Sequence, residues 1–106
     1  MSEQPENDRP WTFLSNYAHV LVCLAEDSTA RMRDVAAQVG ITERAAIRIV
    51  KHLEEAGVLT KQREGRRNRY QINMDQPLRH PLEAHGTVGS LLKMLLGPNR
   101  APRASG

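Results

Sequence analysis

Hydrophobic positions recur at helical spacing through the first half of the chain and give way to alternation past its middle. Leu14, Ala18, Leu21 and Ala25 fall on one face of a helix expected from Phe13 to Glu26, with Thr12 or Ser15 as its cap. Val20, Cys23 and Leu24 carry that apolar surface most of the way round, whereas a surface helix needs only one stripe. This helix is therefore either central in the core or covered by a second surface. Ser28 to Met32 is a short connection with room for a brief strand. Val35, Ala36 and Val39 face inward on a short helix over 33–39, ended by Gly40 in the left-handed conformation, and Ile41 is the apolar residue after the turn. Thr42 caps a longer helix over 43–56, with Ala46, Ile49, Val50 and Leu53 at helical spacing and Gly57 as its stop.

Beyond Gly57 the period shortens. Residues 58–63 read as a strand, 64–68 as a turn made possible by Gly65, and 69–72 as a second strand with Tyr70 and Ile72 inward. Together they form a β-hairpin. Residues 77–81 are irregular. Val88, Leu91, Leu92 and Leu95 then sit at i, i+3, i+4 and i+7 on a last helix over about 86–96, stopped by Gly97 and Pro98. Residues 1–10 hold two prolines and three acids and no large apolar residue, and read as a disordered arm. The Gly/Pro-rich stretch 97–106 reads as a disordered tail, leaving one domain over 11–96.

A length of 106 residues is one domain's worth, with no room for a catalytic domain fused to a regulatory one. Hydrophobic residues make up 40% and aromatics 4%, so the core is aliphatic. Cys23 is the single cysteine, which excludes an internal disulfide and reads as intracellular. The apolar run 20–25 is far short of the ~18 residues a membrane span needs, and the acidic stretch 1–10 does not read as a signal peptide. A soluble cytoplasmic protein is expected. Net charge is only +3, but residues 1–30 carry five acids and one base, while residues 57–75 carry five bases and two acids. Such polarisation points to a polyanionic partner met by the middle of the molecule.

The order helix, short helix, tight turn, longer helix, basic hairpin is that of a winged helix-turn-helix, and the residues themselves resemble that family. Residues 34–46 (DVAAQVGITERAA) look like its helix-turn-helix. Residues 53–59 (LEEAGVL) look like the end of its recognition helix leading into the wing, and residues 63–70 (REGRRNRY) look like the wing hairpin. The resemblance spans about residues 12–96 and is closest to small dimeric regulators of the MarR and ArsR type. It implies a mainly α fold of the α+β kind, with a β-hairpin wing and a C-terminal dimerisation helix. It also implies a homodimeric regulator that binds double-stranded DNA.

Residue chemistry points the same way. With Ala46, Val50 and Leu53 inward, the opposite face of the longer helix carries Arg44, Arg48 and Lys51 at i, i+4 and i+7. A major groove admits one helix, whose outer side chains reach base edges. Glu43 at the helix start suits the dipole and can accept from a cytosine amino group. Thr42 stands at the cap, Ala45 permits close approach, and Ile47 is placed for a thymine methyl. The competing reading is a solvated helix face. Lys61 to Arg69 holds five bases and one acid in nine residues, so Arg66, Arg67 and Asn68 are expected to project from the tip onto phosphate or a narrow minor groove. The alternative is a patch that serves solubility. Arg33, with a backbone amide at the start of the short helix, can hold one more phosphate.

Trp11, Phe13 and Tyr17 cluster at the start of the first helix, where they fill the junction with the last helix or line an effector cavity between subunits. With Val88, Leu91, Leu92 and Leu95 they make the expected dimer interface. Cys23 reads as a small core residue. His80, Glu83 and His85 are the one local cluster of metal-ligand types, and without paired cysteines they do not make a zinc site. No GxSxG, HExxH, P-loop or dinucleotide fingerprint is present. The expectation is a regulator with no enzymatic activity, no cofactor and no membrane partner, with a small-molecule effector left open. The rival reading is a winged-helix module that binds protein or RNA without operator specificity.

Overall fold

The computed structural model describes residues 11–97. The expected disordered arm lies outside them, as does the expected tail beyond Gly97. Four helices and one hairpin follow in the order α1 (Asn16–Glu26), α2 (Met32–Val39), α3 (Glu43–Glu55), β1 (Leu59–Glu64), β2 (Arg67–Ile72) and α4 (Val88–Leu96), with a single 3-10 turn at Pro81–Glu83 before α4. This is a winged helix-turn-helix.

α1 starts three residues later than the hydrophobic pattern suggests. The Thr12 hydroxyl donates to the Leu14 carbonyl, whereas Ser15 Oγ accepts from the Tyr17 amide and so caps the helix. Its broad apolar surface places it at the centre of the domain, against α2, α3, α4 and β2. Val20 and Leu24 of α1, Val35 of α2 and Leu92 of α4 are the most deeply buried large side chains.

α2 and α3 both end on the same device. Gly40 takes φ 91° and Gly57 takes φ 81°, a backbone conformation that side chains with a Cβ resist. After each, the next amide reaches back to the last turn, from Ile41 to the Ala36 carbonyl and from Val58 to the Leu53 carbonyl. These are the bonds that satisfy the orphan carbonyls of a helix end while turning the chain inward. Between the two stops, Thr42 Oγ1 accepts from the Ala45 amide and starts α3. The angle between α2 and α3 is thus set by three consecutive residues, Gly40, Ile41 and Thr42.

The hairpin is longer and its turn tighter than the sequence reading has it. Leu59 pairs with Ile72 and the register runs out to Glu64 opposite Arg67, leaving Gly65 and Arg66 alone in the loop. Gly65 takes φ 64°. A positive φ at the first of two loop residues is the arrangement of a type II′ turn, whose twist matches that of paired strands. The brief strand foreseen at 28–32 is not formed. One bond stands in its place, from the Tyr70 amide to the Ser28 carbonyl at 2.9 Å.

Three backbone bonds fasten α4 to the chain that follows the wing. Leu78 N donates to Gly86 O, Val88 N to Gln76 O and Gly89 N to Met74 O. Gly89 is required by the last of these, since a Cβ there would lie 2.9 Å from the Met74 carbonyl oxygen. Thr87 and Ser90 form a reciprocal capping box at the start of the helix. Val88 and Leu92, expected at a dimer interface, are instead residues of the chain's own core, 3% and 0% exposed. The periodicity marked the apolar stripe correctly, but α1 fills it. Of the expected interface residues on α4, only Leu91 and Leu95 retain accessible surface, and Met94 beside them is well exposed.

Candidate nucleic-acid interface

α3 buries Ala46, Ile49, Val50 and Leu53 against the rest of the core. That fixes what its opposite side offers to solvent. Arg44, Arg48 and Lys51 are all exposed there, and none of them has a hydrogen bond or ion pair among the described residues. A cation left without a carboxylate partner on a rigid helix is available to phosphate or to the O6 and N7 acceptors of guanine. Glu43 is exposed in the first turn, and Ile47 is 49% exposed beside the arginines. Ala45 is half-buried, so it offers less surface than expected. The Thr42 hydroxyl accepts from Ala45 as a cap and still has its proton to donate. Arg33 is exposed in the first turn of α2, also without a partner among the described residues.

The wing bases divide into braced and free. Lys61 Nζ lies 4.0 Å from a Glu54 carboxylate oxygen, tying β1 to the end of α3. Arg63 Nε donates to the Gly65 carbonyl at 3.1 Å and closes the turn. Arg67 Nη1 donates to the Thr29 carbonyl at 3.2 Å. Arg69 bridges Glu64 and Ser28. Arg66 alone stands at the tip with no partner among the described residues. Arg67 and Asn68 were expected at the tip and are not there. Both belong to β2, and Asn68 is half-buried. The reason is the two-residue turn, which pulls them into the ladder.

Burial raises the Tyr70 phenol above its ordinary pKa, only partly offset by Asn68. It also raises the Cys23 thiol, which sits in the core of α1. Neither group is poised for chemistry. No group of three or more potential metal ligands occurs among the described residues. His80 is the cap of the 3-10 turn, its Nδ1 accepting from the Leu82 amide at 3.0 Å. No helix among the described residues is long and apolar enough to cross a membrane.

The aromatic cluster before α1 is not the expected filler of a helix junction. Trp11 and Phe13 meet edge to face with centroids 4.8 Å apart, yet are 74% and 90% exposed. Tyr17 turns to α3, where its phenol oxygen lies 2.7 Å from His52 Nδ1 and its ring stacks on the imidazole. Sequence reasoning missed His52 as a member of this surface. Its spacing of four from Arg48 was the available signal.

Residues 19–60 match the family model of winged helix-turn-helix DNA-binding domains. The match runs from the first turn of α1 through α2 and α3 to the start of β1, less than half of the chain but the whole of the helix-turn-helix. It supports a DNA-binding regulator and DNA as the partner. Neither the curated proteins nor the solved structures yielded a match.

Proposed function

We infer that the protein is a sequence-specific transcriptional regulator that binds double-stranded DNA as a homodimer in the cytoplasm and acts by binding rather than catalysis. The observation that carries this reading is the row Arg44, Arg48 and Lys51 on the outer face of α3, cationic and free of any intramolecular partner among the described residues. α3 enters the major groove with its N-terminal half, where Thr42, Glu43 and Arg44 lie closest to base edges and Ile47 and Arg48 follow. Arg66 at the wing tip reaches a phosphate or the minor groove, and Arg67 flanks it from β2. Arg33 grips the backbone on the other side of the helix-turn-helix.

One winged helix makes few contacts, and a two-fold pair doubles them. The surface that supports pairing is Leu91, Met94 and Leu95 on α4, together with Trp11 and Phe13 ahead of α1. All are apolar and accessible, and soluble monomers seldom leave large apolar surface uncovered. An isologous dimer through this surface would set two recognition helices about one turn of DNA apart, ~34–36 Å. A regulator of this kind is of the MarR or ArsR type, and a small molecule held between the subunits is a natural effector.

Selection of bound sites from a random duplex library tests the reading. The expected product is a palindromic consensus with half-sites one helical turn apart. Recovery of no consensus, or preference for RNA over the selected duplex at matched salt, would overturn it.

A further inference from the structure

α3 carries another polar side chain on its outward side. His52 follows Arg48 by one turn and Arg44 by two, and it is exposed. Its Nδ1 lies 2.7 Å from the Tyr17 phenol oxygen across 35 residues of sequence, and the two rings are within 8° of parallel with centroids 6.0 Å apart. When the phenol donates its proton to a neutral imidazole, Nδ1 is the acceptor and the ring proton resides on Nε2. The Nε2 atom has no partner among the described residues. In that tautomer the pair holds an N–H donor in a fixed ring plane, on the same helix as the arginine row.

The fold does not need this bond. α1 and α3 already meet through a shared core that includes Val20, Leu24, Ile49 and Val50, and an exposed side-chain hydrogen bond adds little to such packing. What the bond does control is the orientation of the imidazole. His52 also lies in the last turn of α3, away from the end that enters the groove deepest, where a side chain meets the DNA backbone rather than base edges.

We propose that His52 is a further DNA-contacting residue, donating its Nε2 proton to a backbone phosphate at the edge of the α3 footprint, and that Tyr17 is its positioning residue. This rests on the DNA-binding reading above and adds to it a contact shared by α1 and α3.

The probe is a duplex recovered by selection with the parent protein, prepared as a series with one methylphosphonate at a time in place of a phosphate. The parent loses affinity wherever it grips a charged oxygen. His52→Ala is expected to bind the unmodified duplex about tenfold more weakly and to become indifferent to modification at one position where the parent is sensitive. His52→Gln, whose amide N–H replaces the Nε2 donor, restores that sensitivity. Tyr17→Phe keeps the ring and removes the hydroxyl, so the sensitive position stays the same while affinity falls about threefold. The ring nitrogen resonances of His52 then report a mixture of tautomers. Arg48→Ala on the same duplex separates the two claims. If it weakens binding while His52→Ala leaves the methylphosphonate profile unchanged, the DNA-binding reading stands and the His52 contact is overturned. If neither variant weakens binding, both fall. An unchanged tautomer in Tyr17→Phe overturns the role given to Tyr17.

Discussion

Arg69 on β2 donates from Nε to the Glu64 carboxylate at 2.6 Å and from Nη1 to the Ser28 hydroxyl at 3.0 Å. One guanidinium thus joins the two strands of the wing to each other and to the connection between α1 and α2. The Tyr70 amide, bonded to the Ser28 carbonyl, secures the same place through the backbone. The wing stands in a defined position against the helices, which keeps its tip at a fixed reach from α3.

The Arg69 hydrogen bond holds the Glu64 carboxyl below the usual glutamate range. A carboxyl whose pKa is depressed in the folded state contributes its bracing fully above the unfolded value of ~4.3 and loses it as pH falls through the lower folded value. Carboxyl chemical shifts followed against pH are expected to place the Glu64 midpoint below that unfolded value. In Arg69→Ala the midpoint rises to the ordinary range. Equal midpoints in parent and variant would mean that the ion pair is not formed in solution.

Much of this fold was legible along the chain because the deciding signals are local. Gly40 and Gly57 ended helices where a left-handed residue was needed, and Thr42 announced α3 by its own hydroxyl. The start of α1 was misplaced because Thr12 and Ser15 are equivalent as letters, and only the Thr12 bond to the Leu14 carbonyl distinguishes them. The cation row on α3 followed from periodicity. The division of the wing bases did not, since it depends on Arg67 meeting Thr29 and Arg69 meeting Ser28 from 38 and 41 residues away. The burial of Leu92 was likewise hidden. A helical stripe shows that a face is covered and says nothing about whether α1 or a second subunit covers it.

Replacing Arg48 with alanine should weaken binding to the selected duplex by ~1–3 kcal/mol, the discrimination of a good bidentate arginine–base contact. Arg48 is exposed and partnerless among the described residues, so the far-UV circular dichroism and melting temperature should not change. Titration of labelled duplex by anisotropy measures the effect. Unaltered affinity in both Arg44→Ala and Arg48→Ala would remove α3 from the major groove.

At the wing tip, Arg66→Ala should reduce affinity for selected and unrelated duplexes alike. The slope of log affinity against log salt should fall by about one unit, as for the loss of one phosphate contact. Arg67→Ala is expected to do more, because it also releases the bond to the Thr29 carbonyl and loosens the wing. Identical slopes for parent and Arg66→Ala would show a solvated tip.

On α4 two leucines should behave in opposite ways. Leu92 is wholly buried, and Leu92→Ala is expected to destabilise the fold by ~2–5 kcal/mol through loss of packing and an unfilled cavity. Leu95 is at the surface, and Leu95→Asp should leave the melting of the protomer nearly unchanged while lowering the sedimenting mass from dimer to monomer. Equal loss of fold in both variants would place Leu95 in the core. A parent that sediments as a monomer at micromolar concentration would remove the dimer.

Burial raises the Cys23 thiol above its ordinary pKa, and the thiolate is the reactive species. Alkylation of the folded protein near pH 8 should therefore be slower than that of the protein unfolded in denaturant, with the difference narrowing as pH rises. Native alkylation at the unfolded rate would show that α1 opens to solvent.

The bonds that join Leu78 to Gly86, Gln76 to Val88 and Met74 to Gly89 shut the mouth of an excursion of the chain. Inside it, residues 79–85 are all exposed, while the chain enters and leaves through backbone bonds that do not depend on their side chains. This stretch behaves as an interchangeable cassette. Its length and composition can drift without displacing α4 from α1, because the clasp is made from main-chain atoms and one obligatory glycine. Leu82, His85 and their neighbours are free to be recast for a new contact while the spacing between helix-turn-helix and terminal helix is preserved.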